Sequence, residues 1–218
     1  MERESVTKQI FAEVGVRFEE LKLVIYKFDE IILQKTKKMD EDLNKSISEY
    51  RVIPAWHRTE EEVIEDMKGY FYRGVLIQIF GEYEFYFRKL AKAYKKHWDI
   101  NANLKNIKVG KSFLEKELKV SSSIFRKELW FELRVLQEIR NLCAHFIPDL
   151  ESEFIQYKES DFTKKILTAI SQKKNLLVVE SNFNITSSEY LYEAIELLEE
   201  FFRILEIDFR TKEMFPSN

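Results

Sequence analysis

Three polar residues that lie close together in the chain have the types needed for chemistry on RNA. They are Arg140, Asn141 and His145. Arginine presents a planar fork of N–H donors that binds a phosphate through two hydrogen bonds. Histidine exchanges a proton near neutral pH, and asparagine can orient either partner or a ribose hydroxyl. The set therefore suits metal-independent RNA cleavage, because the RNA supplies its own 2′-hydroxyl nucleophile.

The helical wheel around these residues limits how they can meet. At about 100° per residue, Asn141 and His145 share one polar stripe of a helix predicted over 124–146. Arg140 lies between this stripe and the apolar arc, and it diverges from His145 by roughly 140° on an ideal helix. One helix does not bring these two side chains squarely together, whereas two copies facing each other across a twofold axis could. The spacing therefore favours a composite site completed by a homodimer.

Other charged residues lie near this segment. Lys127 and Arg134 continue the polar stripe toward the start of the helix. They could track an RNA backbone or form a solvated face, which is the commoner outcome for charges at this spacing. Glu82 and Glu84, on a preceding helix, could approach the segment and tune its histidine. Glu132 falls inside the apolar arc, and the pattern offers no explanation for it.

The segment resembles the motif of the HEPN superfamily (higher eukaryotes and prokaryotes nucleotide-binding). That motif is an Arg followed within a few residues by a His, often with a polar residue directly after the Arg. Here Arg140, Asn141 and His145 occupy those places near a helix end. An upstream aromatic helix with Arg73 is similar to the helix that packs against the motif helix in that superfamily. The helix after Thr186 also suits such a bundle, so the resemblance covers roughly residues 60 to 206.

The resemblance implies an all-α helical bundle that dimerises through its motif helices and cuts single-stranded RNA without a metal or other cofactor. It assigns catalysis to Arg140 and His145, with Asn141 in support. We expect RNA, a second copy of the chain and an antitoxin or another phage-defence protein as partners. Ile147 departs from some HEPN toxins, which carry a tyrosine there for regulation by a nucleotidyltransferase. The alternatives are a non-catalytic HEPN-type module that dimerises or binds RNA or a nucleotide, and a helical adaptor without a nucleic-acid ligand.

Structural interpretations compete with the chemical ones. Arg140 and His145 could simply complete a helix C-terminus, where cations favour the helix dipole and bond terminal carbonyls. Cys143 lies on the apolar side of the wheel and is expected to be a buried small hydrophobe, not a nucleophile. His57 and His97 lack the spacing of a metal site, so no structural zinc is predicted.

Hydrophobic periodicity predicts the elements that position the segment, within a single domain over 1–218. A long N-terminal helix is expected over about 7–45, solvated after Gln34, and a second over 59–94 that starts at a Thr59 capping box. Shorter helices are expected over 112–119 and 161–171, and a small β-hairpin over 176–186. The last helix is expected from a Thr186 capping box to about Glu206, before a loose tail. Gly69, Gly74 and Gly81 interrupt the second helix, and close helix–helix approach is the expected reason.

Composition restricts the class of protein further. The chain of 218 residues has 45% hydrophobic and 33% charged residues, which is typical of a globular domain. Its 5 glycines and 3 prolines favour long helices over an all-β fold. A net charge of -3 makes strong non-specific nucleic-acid binding through overall charge unexpected. The first residues lack a signal-peptide core and no apolar stretch can span a bilayer, so we expect a cytoplasmic protein without a membrane partner.

Overall fold

The computed structural model describes the backbone of residues 2–51, 55–95, 107–116, 119–120, 127–145, 165, 168–179 and 182–214. In chain order these residues form α1 (Glu2–Tyr50), α2 (Ala55–Lys95), α3 (Ile107–Lys116), α4 (Lys127–His145), β1 (Leu176–Val179), β2 (Asn182–Ile185) and α5 (Glu189–Met214). The two strands pair antiparallel, with Leu176 opposite Ile185. The predicted fold class, an all-α bundle with a small hairpin near 176–186, is confirmed.

α1 and α2 are long helices that pair antiparallel. Near the middle of α1, the Arg17 Nε donates to Glu82 Oε1 at 3.1 Å. At the far end, Met39 and Ile64 are both buried in a small apolar cluster between the two helices. The charged sequence after Gln34 predicted that this part of α1 is solvated. The prediction is wrong for one apolar face, which packs on α2.

The main core lies where α1, α2, α4 and α5 meet, and α3 and the hairpin also contribute buried residues. Its largest fully buried side chains include Phe18, Phe80 and Phe201. Most of the α2 aromatic series is core, as expected, because these rings pack on α1, α5 and one another. Tyr70 and Phe85 are exceptions, with 57% and 54% of their surface exposed.

The start of α2 differs from the prediction. The helix begins at Ala55, so Thr59 lies inside its second turn and is not an N-cap. The extra turn brings His57 Nδ1 within 3.6 Å of a Glu61 oxygen, and Arg58 Nε within 3.2 Å of a Glu62 oxygen. Because the helix has already begun at Ala55, Thr59 cannot cap its start, and contacts between residues four apart add only about 0.2 to 0.5 kcal/mol each.

Both ends of α5 also differ from the prediction. The Thr186 N–H donates to the Asn175 carbonyl at 3.0 Å and so closes the hairpin. The cap is instead Ser187, whose Oγ accepts from the Glu189 N–H at 3.2 Å. The helix continues past Glu206 to Met214, so the predicted loose tail is wrong over those residues. The reason is tertiary packing, because Phe209 is buried and its ring centroid lies 6.2 Å from that of Phe11.

The three glycines of α2 do not share one explanation. A Cβ on Gly69 would lie 2.7 Å from Asn184 Oδ1, so close approach by β2 accounts for that glycine. Among the residues that the structure describes, no atom lies within 4 Å of where a Cβ on Gly74 or Gly81 would be. Close approach within the chain was therefore the wrong explanation for these two.

The remaining helices follow the prediction in part. α3 begins five residues before the predicted 112 and ends at Lys116. α4 is helical throughout the described residues Lys127–His145, while both predicted ends, 124 and 146, lie outside the described part of the chain. Of the helix predicted over 161–171, residues 165 and 168–171 are described and helical. No described helix is long and apolar enough to cross a membrane.

Candidate functional site

α4 presents Arg140 toward α2, where two contacts fix its guanidinium. Its Nη2 donates to Glu84 Oε1 at 2.6 Å. Its Cζ lies 4.6 Å from the centroid of the buried Phe80 ring. A charge-assisted hydrogen bond and a cation–π contact both restrain the long arginine stem. Because 21% of the side chain remains exposed, the guanidinium is held in place and is still accessible from solvent.

The Glu84 carboxylate also meets a second cation. Its Oε2 lies 3.8 Å from Arg88 Nη2, and the Arg88 Nε donates to the Glu84 carbonyl at 3.0 Å. The three side chains, Arg140, Glu84 and Arg88, carry a net charge of +1 and form a group that we call the arginine cluster. A half-exposed positive group with planar N–H donors is suited to an anion such as phosphate. Sequence reasoning missed Arg88, although its position four residues after Glu84 on one helix is a signal that could have found it.

Asn141 lies beside Arg140 on α4. Its Nδ2 is 3.4 Å from Glu138 Oε2, one turn earlier on the same helix, and its side chain is half-buried. A hydrogen bond at that distance is weak. Asn141 is therefore placed on the predicted polar stripe, with an amide that can reorient toward a ligand.

The structure describes only the backbone of two of the predicted site residues. Lys127 is the first residue of α4 and His145 is the last, and both side chains lie outside the described part. The backbone nevertheless keeps Arg140 and His145 on one continuous helix. Their Cα directions therefore diverge by about 140°, as the wheel predicts.

The two predicted supporting glutamates lie in different surroundings. Glu84 meets Arg140, as described above. Glu82 is buried on the α1 side of α2, where its Oε1 accepts from Arg17 Nε at 3.1 Å and from Gln78 Nε2 at 2.6 Å. Side chains two positions apart on a helix are separated by a rotation of about 200° and so point to nearly opposite sides. This explains why Glu84 meets Arg140 and Glu82 does not.

The polar stripe of α4 is less exposed than its charge suggests. Arg134 and Glu138 are half-buried and not fully solvated. Glu132, which the sequence left unexplained, accepts from Lys173 Nζ at 2.8 Å. The lysine lies just before the hairpin, so a long-range ion pair stabilises a carboxylate inside the apolar arc.

Cys143 lies next to the motif residues and is 2% exposed. Burial raises the pKa of its thiol to about 12, and the nearby positive charge of Arg73 opposes only part of that rise. The thiol is therefore protonated at neutral pH, which removes the thiolate that a nucleophile requires.

Among the described residues there is no group of three or more His, Cys, Asp or Glu side chains that could hold a metal ion. No protein-family model matches the chain, and comparisons with curated proteins and with solved structures give no significant match. The fold and the geometry of the arginine cluster therefore carry the functional argument.

Proposed function

We propose that the chain is a HEPN-type, metal-independent endoribonuclease that cuts single-stranded RNA, with Arg140, Asn141 and His145 in its active site. The observation that supports the proposal best is the positioning of Arg140. Its guanidinium is fixed by Glu84 and Phe80 yet keeps an exposed edge, on the same helix as Asn141 and His145. Such fixed donors can stabilise developing negative charge without reorganising during the reaction.

The proposed reaction needs both a base and an acid. A base removes the proton of the 2′-hydroxyl, the 2′-oxygen bonds to phosphorus, and the bond from phosphorus to the 5′-oxygen breaks as that oxygen gains a proton. The products are a 2′,3′-cyclic phosphate and a 5′-hydroxyl. His145 can serve in one of the two roles. A second copy of the chain would supply another His145 for the other role, so the proposed enzyme is a homodimer.

The biological setting is a further proposal that rests on the resemblance to HEPN toxins. An RNA-cutting dimer of this type fits a toxin or phage-defence role in the cytoplasm, with an antitoxin or another defence protein as partner. Lys127 and Arg134 would then track the RNA backbone near the start of α4. A co-purification of the chain with a protein that inhibits its cleavage would support this setting.

An RNA-cleavage assay tests the enzymatic proposal. The purified chain with EDTA should cut an end-labelled single-stranded RNA and leave cyclic phosphate termini. Arg140→Ala, Arg140→Lys and His145→Ala should each lower the rate by at least about a hundredfold. Arg203→Ala is the matched control, because Arg203 is exposed and bonds Glu200 one turn away on α5. Wild-type rates in all three variants, with unchanged circular dichroism, would contradict the proposal.

A second candidate is a non-catalytic HEPN-type module that uses the same face to bind RNA or a nucleotide. The ion pair between Arg140 and Glu84 favours it in one respect, because the guanidinium already has a carboxylate partner within the chain. A gel-shift assay that shows Arg140-dependent binding, without cleavage by the pure wild-type protein, would select this candidate.

A further inference from the structure

One face of α2 is apolar and exposed along its middle. The exposed fractions are 46% for Val63, 40% for Met67, 57% for Tyr70, 37% for Ile77 and 54% for Phe85. These residues follow one another at three-, four- or seven- to eight-residue steps, and Gly74 and Gly81 complete the series. At about 100° per residue, all seven fall within roughly 60° of one line along the helix. We call Val63, Met67, Tyr70, Gly74, Ile77, Gly81 and Phe85 the outer stripe of α2.

The two glycines of the outer stripe have no explanation in their own chain. Within the described part of the protein, a Cβ on either Gly74 or Gly81 would meet no atom closer than 4 Å. Glycine in a helix interior lowers helix stability by roughly 1 kcal/mol relative to alanine. Glycines seven residues apart on an apolar line permit a second helix to approach closely.

Charge along α2 is distributed unequally between its two ends. The first part has five acidic residues, Glu60, Glu61, Glu62, Glu65 and Asp66, against the basic Arg58 and Lys68. The last part has four basic residues, Arg88, Lys89, Lys92 and Lys95, against the acidic Glu82 and Glu84. On the wheel, Glu60 and Lys92 lie on the line of the outer stripe, at its opposite ends. Between Met67 and Phe85, the centre of that line carries no charged residue, while Glu84 and Arg73 border it at about 20° and 40° from Ile77. Two such helices attract when they lie antiparallel and repel when they lie parallel.

We propose that the outer stripe of α2 binds the outer stripe of a second copy of the chain, antiparallel, about a twofold axis near Ile77. Positions equally distant from 77–78 then face each other. Gly74 of one copy meets Gly81 of the other, and Tyr70 meets Phe85. The glycine pairs bring the helices close, the aromatic pairs bury exposed rings, and the acidic end of each helix lies along the basic end of its partner.

The proposed function also needs a second copy of the chain, and this interface on α2 is a different surface from the motif helices through which the resemblance implies dimerisation. Glu84 precedes Phe85 of the outer stripe and pairs with Arg140, so the arginine cluster borders the proposed interface. The proposed interface consists of α2 residues alone, and its test uses no RNA. A dimer of this geometry that does not cut RNA would uphold the interface and reject the enzyme, and the two proposals can therefore fail separately.

Disulfide cross-linking tests the orientation of the two helices. In the full chain, Ile77→Cys should give a covalent dimer on mild oxidation, because the twofold axis brings the two copies of that residue together. Met67→Cys alone should not, whereas Tyr70→Cys combined with Phe85→Cys should. Cys143 does not compete, because it is buried. Efficient cross-linking of Met67→Cys would indicate a parallel pair and overturn the proposal, as would no cross-linking of Ile77→Cys.

Analytical ultracentrifugation over a range of concentrations tests the surface itself. The wild type should dimerise, and Ile77→Glu should raise the dimer Kd at least about tenfold, because each substitution occurs twice at the axis. Leu33→Glu is the matched control, since Leu33 is an exposed leucine on α1. Gly74→Ala and Gly81→Ala should also weaken the dimer, whereas Gly15→Ala on α1 should not. A monomeric wild type, or a dimer unaffected by Ile77→Glu, would overturn the proposal.

Discussion

The guanidinium of Arg140 and the carboxylate of Glu84 join α4 to α2 through an Nη2–Oε1 contact of 2.6 Å. The two side chains are 21% and 26% exposed, so the pair lies at the boundary of the core. Its position links stability to the proposed chemistry, because the same contact that holds the two helices together also orients the arginine. The contribution of the Arg140–Glu84 pair to stability and its effect on the orientation of Arg140 can be tested separately.

Glu84→Gln should destabilise the fold by about 1 kcal/mol, because it removes the charge that neutralises a half-buried guanidinium. Urea denaturation measures the change. Glu200→Gln is the control, since its pair with Arg203 is on the surface and should contribute less than about 0.5 kcal/mol. Equal losses in both variants would show that the Arg140 pair has no special role in joining α4 to α2.

Arg88→Ala should weaken RNA binding and reduce its salt dependence if the arginine cluster contacts phosphate. The slope of log K against log salt should fall by about 0.7 for one lost contact with single-stranded RNA. Fluorescence anisotropy at several salt concentrations gives this slope, with Arg203→Ala as the control. Arg88 belongs to the basic end of α2, which the proposed dimer places along the acidic end of its partner. Sedimentation of the variant under the same conditions therefore separates an RNA effect from a change in dimerisation. An unchanged slope would remove Arg88 from the RNA site.

Alkaline pH should destabilise the protein through Cys143. The ordinary pKa of its thiol is 9.0 and burial raises the pKa to about 12 in the folded protein, so the unfolded chain loses its proton first. Stability from this group is therefore complete below pH 9 and is lost as pH rises toward the folded pKa. At pH 10 the loss should be about 1 kcal/mol. Between pH 8 and pH 10, the free energy of unfolding should fall by this amount more in the wild type than in Cys143→Ala. An equal fall in both proteins would contradict a raised pKa for the Cys143 thiol.

Gly69→Ala should destabilise the protein by about 1 kcal/mol, because the new Cβ would lie 2.7 Å from Asn184 Oδ1. Adding Asn184→Ala should remove the clash, so that the double variant is more stable than Gly69→Ala alone. Gly15→Ala, where a Cβ meets no described atom within 4 Å, should instead stabilise by roughly 0.5 to 1 kcal/mol. Thermal unfolding of wild type, Gly69→Ala, Asn184→Ala and the double variant completes this cycle, with Gly15→Ala measured beside them. A gain in stability for Gly69→Ala would contradict the clash and show that the Asn184 side chain moves away from α2 without cost.

Local pattern was enough to predict the class of fold and the order of its elements. The hairpin strands at Leu176–Val179 and Asn182–Ile185 follow from short apolar runs beside turn residues. Periodicity also placed Cys143 on the buried side of α4 and Asn141 on its polar stripe. These features depend on residues a few positions apart in the chain, and a single helix or hairpin already determines them.

Helix ends depended on contacts that pattern does not contain. Phe209 follows Leu205 by four residues and continues the apolar stripe, but this spacing does not name Phe11 as its partner. The helix continues because that contact stabilises it. The position of Glu132 inside the apolar arc could not be explained from local pattern either, because its partner Lys173 lies 41 residues later in the chain. Intrinsic propensity is weak, so a few tertiary contacts of this kind decide where an element stops.

The candidate site shows the same division between local sequence and tertiary structure. The sequence by itself determined that Arg140, Asn141 and His145 share one helix, with Asn141 and His145 on one stripe and Arg140 apart from His145. Only the tertiary structure decided that Glu84 meets Arg140 while Glu82 turns to Arg17, because the rotation of α2 about its axis is set by packing on α1 and α4. The same packing leaves the outer stripe of α2 exposed. Which face of a helix is buried depends on the neighbours that surround it, and only the folded chain brings those neighbours together.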